Sequence, residues 1–134
     1  NEPELYSCAI VCVGVYDLEM MLEEGDIPFT LAGRNYLEQA LGDDRADLYE
    51  RSPINHIENL TAPLLIVHGA QDQRVPLLQA EALRARMDAL DKPYEWLVKP
   101  NEGHGFYDKD NKIELFATIL TFLERNLTTP TAEN

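Results

Sequence analysis

Apolar residues along the chain alternate between continuous runs and helical stripes. Residues 8–15, CAIVCVGV, are a run rich in Val with a glycine near its end, which suits a strand buried on both faces of a parallel sheet. Residues 64–68, LLIVH, predict a second strand, and 94–98, YEWLV, a third, shorter one. Between the first two strands the pattern weakens. YDLEMMLEEGD reads as a short helix broken by Gly25 and Pro28, and NYLEQALG repeats apolar residues at helical spacing until Gly42 stops it. Residues 79–90 predict a helix with Ala80, Leu83, Met87 and Leu90 on one stripe and Arg84 and Arg86 off it. Residues 113–127 carry Ile113, Phe116, Ile119, Leu120, Leu123 and Leu127, an amphipathic helix expected to cover one sheet face. The tail TTPTAEN, 128–134, has no pattern and is expected to fray.

Strands alternating with helices over short links imply parallel strands joined by crossovers, hence an α/β layered fold with covering helices. In open sheets of this kind ligand chemistry gathers beyond the carboxyl ends of the strands. The 134 residues, 45% hydrophobic, suffice for one compact unit. A formal charge of −13, from 24 acidic against 11 basic side chains and without a basic cluster, argues against a nucleic-acid partner. No apolar run approaches the length that spans a bilayer, so the chain is expected to be soluble. Cys8 and Cys12 sit four positions apart in the first strand, on one face but too distant along it to bridge comfortably. They are read as reduced core residues, which makes the cytoplasm the default compartment. His56, His68 and His104 form no Cys/His cluster, so neither a metal nor another cofactor is expected.

Two loops carry the candidate chemistry. One follows the second strand and holds Asp72; the other follows the third and holds NEGHGF, with His104 between Gly103 and Gly105. If those strands are neighbours, both loops open on one edge and Asp72 and His104 can meet. A carboxylate bonded to one imidazole nitrogen fixes the tautomer and leaves the other nitrogen free as a base. Simpler roles compete at each position. Asp72 by itself also suits starting a turn or capping the next helix, His68 a supporting role at the strand end, and His56 an exposed loop. The acidic run DLEMMLEEGD suits a solvated helix face, and Phe106 and Tyr107 suit either a pocket or packing against the last helix.

SPINHIENLTAPLLIVHGAQDQRVPLLQAEAL, followed by EGHGF, resembles the C-terminal part of the catalytic domain of the prolyl oligopeptidase family of serine peptidases. Within it the chain is most similar to the dipeptidyl-peptidase and acylaminoacyl-peptidase branches. The resemblance runs from residue 8 to about 127 and rests on HGxxDxxVP with a downstream GHGF. It implies an α/β-hydrolase fold, with Asp72 as the acid and His104 as the base of a Ser-Asp-His triad acting on peptide substrates. It also places VGVYDL at the border of the substrate pocket, which makes Tyr16 a pocket candidate.

One element of the family pattern is missing. No GxSxG turn occurs; Ser7 stands at the start of a strand and Ser52 in a Ser-Pro step, and neither is a sharp elbow. The family order puts the nucleophile before the first strand, so residues 1–127 are expected to be the C-terminal portion of a catalytic domain, inert alone, with the N-terminal half as its partner. Two other readings stay open: a carboxylesterase-type hydrolase, and a non-catalytic module that self-associates into a homo-oligomer through an exposed sheet edge.

Overall fold

A computed structural model describes residues 5–127. Three parallel strands, β1 (Ala9–Cys12), β2 (Leu64–Gly69) and β3 (Tyr94–Lys99), form one sheet in the order β1-β2-β3. Ala9 pairs with Leu64, which pairs with Tyr94, and Val11, Ile66 and Trp96 align two residues further on. The helices are α1 (Leu18–Glu23), α2 (Leu31–Leu41), α3 (Arg45–Arg51), α4 (Leu77–Ala89) and α5 (Lys109–Leu127), with a 3₁₀ segment at Pro53–Asn59.

Strand β2 is central, and all six of its residues are buried. Its alternate side chains feed two cores. Leu64 and Ile66 pack with Ala80, Leu83 and Met87 of α4 and Ile57 of the 3₁₀ segment. Leu65 and Val67 pack with Leu97 and Phe122, against Leu115 and Ile119 of α5. Helix α4 thus uses the apolar stripe predicted for it. It begins two residues early, at Leu77 behind Pro76, which cannot continue a strand ladder and suits a helix entry.

Strand β1 departs from expectation. It spans four residues rather than eight, and as an edge strand it is covered less: Ala9, Ile10 and Val11 are half-buried and Cys12 is exposed. Only Cys8 packs against a core, so the reading of both cysteines as core residues is corrected; both are free thiols. The strand stops where Val13 turns to φ 45° while its N–H still bonds the Val67 carbonyl at 3.0 Å.

The weakly patterned middle is helical and held by local caps. Asp17 accepts from the Met20 N–H, Thr30 from the Gly33 N–H, and Asp44 from the Ala46 and Asp47 N–H groups. Buried Ser52 ties two of these helices together, accepting from the Leu18 N–H at 2.9 Å and donating to the Leu48 carbonyl at 2.7 Å. The acidic face of α1 is paired, with Glu19 and Glu23 both on Arg45. His56 is half-buried rather than an exposed loop residue, because its Nε2 donates to the Glu50 carbonyl.

Helix α5 starts four residues before its predicted boundary because Asp108 Oδ1 accepts from the N–H groups of Asp110 and Asn111. Its rotation also differs. Phe122, with Leu115 and Ile119, faces the sheet, while Ile113, Phe116, Leu120 and Leu127 are exposed. Ion pairs at both ends accompany this orientation, Lys99 with Glu114 and Arg125 with Glu95. The tail 128–134 lies outside the described residues. Among the described residues no helix is long and apolar enough to cross a membrane.

Candidate active site

The loops after β2 and β3 leave neighbouring strands and are stitched together by their backbones. The Ala70 N–H bonds the Lys99 carbonyl at 2.9 Å and the Gln71 N–H bonds the Glu102 carbonyl at 2.8 Å. Only glycine fits at the joint. A Cβ on Gly69 would stand 2.2 Å from the Gly103 carbonyl oxygen and 2.5 Å from that of Glu102. Beyond it the Asp72 N–H turns back to the Gly69 carbonyl at 3.1 Å and sets the carboxylate inward, its side chain fully buried.

Asp72 divides its two oxygens between two tasks. Oδ1 accepts from the N–H groups of Arg74 and Val75, each at 2.9 Å, which is the turn-forming role open to any Asp at such a position. Oδ2 accepts from His104 Nδ1 at 2.9 Å across 32 positions of sequence. The turn contacts and the contact to His104 are therefore both made, one set per oxygen. With Nδ1 donating, Nε2 of the neutral ring carries the lone pair, and the side chain is 48% exposed. A buried acceptor behind a half-exposed imidazole can steady a positive charge that develops on the ring when Nε2 takes a proton.

His68 lies on the inner side of the same carboxylate. Its Nε2 donates to the Val75 carbonyl at 2.8 Å and stands 3.6 Å from Asp72 Oδ2, and its buried Nδ1 has no hydrogen-bond partner. From outside, Arg74 makes a two-point ion pair with Asp26, at 2.6 and 3.1 Å, and the Asp26 N–H bonds the Gln73 carbonyl. The guanidinium bonded to it holds the Asp26 carboxyl below its ordinary range. The segment between α1 and α2 thereby braces the Asp72 turn, with a shallow groove of about 320 Å³ between them beside Phe29 and Pro76.

Tyr16 is placed elsewhere in kind. Its ring is 5% exposed within the α4-side core, and its hydroxyl has no hydrogen-bond partner. Burial pushes its phenol up to about 12. The Tyr16 and Asp17 N–H groups both bond Gln79 Oε1, and Gln79 Nε2 returns a bond to the Asp17 carbonyl. Phe106 packs into the α5-side core, whereas Tyr107 is exposed beneath Lys112. Among the described residues no group of three His, Cys, Asp or Glu side chains is arranged to hold a metal.

A profile of the prolyl oligopeptidase family matches residues 1–129. The chain belongs to that family. Curated relatives in it include dipeptidyl peptidase family member 6 of Caenorhabditis elegans, 30% identical over 131 residues, and dipeptidyl aminopeptidase BIII of Pseudoxanthomonas mexicana, 31% identical over 130. Each alignment covers 93% of this chain, but only 18% and 19% of the relative, so the chain spans about a fifth of their length. Among solved structures, Pyrococcus horikoshii acylaminoacyl peptidase superposes with a TM-score of 0.85 at 20% identity, covering 98% of this chain and 22% of that one. That likeness establishes the α/β-hydrolase fold for this prolyl oligopeptidase family chain. A Mycobacterium tuberculosis puromycin-hydrolyzing peptidase superposes at 0.79 with 25% identity, over 90% of this chain and 18% of its own.

Two buried polar residues that tie loops to their neighbours were not singled out from the sequence. Glu102, in NEGHGF, is 3% exposed, and Gln79 is 1% exposed. A charged residue beside a glycine in a loop carries no sequence signal of burial. Gln79, by contrast, adjoins Ala80 at the edge of a stripe that was legible.

Proposed function

We propose that this chain supplies the acid and the base of a serine-type peptidase, Asp72 orienting His104. The observation that carries the reading is the 2.9 Å bond from His104 Nδ1 to the buried Asp72 carboxylate, with the other ring nitrogen on the exposed side. In the reaction a serine hydroxyl attacks the peptide carbonyl as His104 Nε2 takes its proton, and His104 then returns that proton to the departing amine. Water repeats the sequence on the acyl-enzyme, and Asp72 stays ionised while it steadies the imidazolium.

The nucleophile is proposed to come from a segment outside these residues. Ser52 has both hydrogen-bonding roles committed in the core, and Ser7 stands two residues before β1 without an elbow around it. The same outside segment would pair the edge of β1 that has no strand partner among the described residues; a second copy of the chain is the competing occupant of that edge. Tyr16 enters the proposal only as backing for the substrate pocket, since its ring and hydroxyl are buried in the α4-side core. The peptide class of substrate follows the relatives, which are named as peptidases.

Fluorophosphonate labelling tests the assignment, applied to this chain alone and to the chain joined to a preceding family segment that bears GxSxG. Labelling of the longer form only is expected. Labelling of the 134-residue chain by itself would move the nucleophile to Ser7 or Ser52 and overturn the proposal.

A further inference from the structure

We propose that Glu102 is a positioning residue whose buried carboxylate closes the His104 loop into a ring and so holds the imidazole on Asp72. The inference rests on the acid–base reading above. Its starting point is a charged side chain that is 3% exposed and lies two residues before the histidine.

Both Glu102 oxygens are committed to donors on the far side of His104. Oε2 accepts from the Tyr107 N–H at 2.8 Å, and Oε1 accepts from the Asp108 N–H at 2.9 Å and from Asn111 Nδ2 at 2.8 Å. These bonds link residue 102 to residues 107 and 108, so the intervening loop is closed by its own acid. Across the ring Gly103 and Gly105 form an isolated antiparallel bridge. The backbone of Glu102 faces the other way, its carbonyl accepting the Gln71 N–H at 2.8 Å, next to Asp72. One residue therefore joins the acid loop, the base loop and the first turn of α5.

The consequence for His104 is geometric. Its imidazole is 48% exposed, and Asp72 is its sole hydrogen-bonding partner among the described residues. With about half of its surface in solvent and one hydrogen bond, the ring depends on the loop backbone for the position of Nδ1. Opening the ring frees that backbone at both ends, and a shift of about 1 Å at a reacting group is the order of displacement that costs a factor of about 10² in rate. A glutamine at 102 keeps the shape but puts an NH₂ group against one of the three donors, so it should loosen the ring without emptying the site.

Two-bond ¹H–¹⁵N correlation spectra of the histidine rings, recorded at about pH 8.5 where an ordinary imidazole is neutral, report the tautomer directly. In the protein as it stands, His104 is expected wholly as the Nδ1–H form, and Asp72→Asn is expected to lose it. Glu102→Ala is expected to give a mixture of tautomers and Glu102→Gln a smaller shift in the same direction, while His56, bonded to the Glu50 carbonyl, is unchanged. A residue that only added stability would lower the unfolding midpoint and leave the tautomer of the folded protein alone. If Glu102→Ala fails to fold, Glu102→Gln and Asn111→Ala carry the comparison. Retention of the pure Nδ1–H form in the folded Glu102 variants, with Asp72→Asn losing it, overturns the positioning role and spares the Asp72–His104 pair. A protein whose His104 lacks the Nδ1–H form from the outset overturns the pair and, with it, the role of Glu102.

Discussion

Replacing Gly69 by alanine tests whether the two site loops meet as closely as described. The added methyl would lie 2.2 Å from the Gly103 carbonyl oxygen, 2.5 Å from the Glu102 oxygen and 2.6 Å from the Glu102 carbonyl carbon, where ordinary contact begins at 3.4 Å. All three atoms are backbone, so no side chain can swing aside. Relief needs the 102–103 segment to retreat by roughly 1 Å, a displacement large enough to break contacts in a closely packed region. That motion stretches the 2.8 Å bond from the Gln71 N–H and draws His104 away from Asp72. Overpacking of this kind costs about 1–3 kcal/mol, and the weakened hydrogen bond adds about 1 kcal/mol. Urea unfolding should show the loss as a midpoint lower by about 1 M or more at unchanged slope, for slopes of about 1–3 kcal/mol/M. Gly103→Ala is the control across the same contact, because its nearest atom is the Gln71 carbonyl oxygen at 3.7 Å; its cost should stay below about 1 kcal/mol. Equal midpoints for the two variants would refute the close approach of strand end and histidine loop.

Three further outcomes follow from the same geometry. Asp72→Asn retains an oxygen for the Arg74 and Val75 N–H groups, so it should unfold later in urea than Asp72→Ala, yet in the longer form joined to a GxSxG segment, where the proposed peptidase activity is assayed, turnover should fall roughly 10⁴-fold because an amide cannot hold the same tautomer. Phe122→Ala should cost about 3–5 kcal/mol, whereas Phe116→Ala, on the opposite face of α5, should stay within about 0.5 kcal/mol; reversal of that order in denaturation would mean the helix is rotated. The Glu102 carboxyl is held below its ordinary range, chiefly by the Tyr107 N–H, then by Asn111, the Asp108 N–H and Lys112. A depressed folded value means that its contribution is complete above the unfolded glutamate range and is lost as pH falls through and below it, so the stability gap between wild type and Glu102→Gln should narrow on acidification in a urea series.

Much of the fold was legible because β2 and α4 bury their apolar residues at the spacing the backbone dictates. The Asp72–His104 meeting was legible too, since parallel neighbours bring successive carboxyl-end loops together. What the pattern could not give was the environment of each run. CAIVCVGV reads as a doubly buried strand, but that reading assumes neighbours on both sides, and β1 has one among the described residues. On α5 two apolar stripes compete, and hydrophobicity alone cannot rank Phe116 against Phe122; the packing of Phe122, Leu115 and Ile119 against Leu65, Val67 and Leu97 distinguishes them only once the fold is formed. Residues 45–59 carried too few apolar repeats to reveal α3 and the 3₁₀ segment, which rest on the Asp44 cap and on Ser52 instead. Glu102 is hidden for a related reason: two of its three donors are backbone N–H groups, and backbone groups leave no mark in a sequence.

The central claim is that His104, oriented by Asp72, moves the proton in peptide hydrolysis. The measurement that meets it most directly is turnover of a peptide substrate by the chain joined to a preceding family segment that bears GxSxG, the proposed source of the serine, for wild type and for His104→Ala. In His104→Ala, kcat should collapse by several orders of magnitude, while KM and the unfolding midpoint stay close to wild type. Unchanged kcat in the folded variant would contradict it and leave Asp72 and His104 with a purely architectural role.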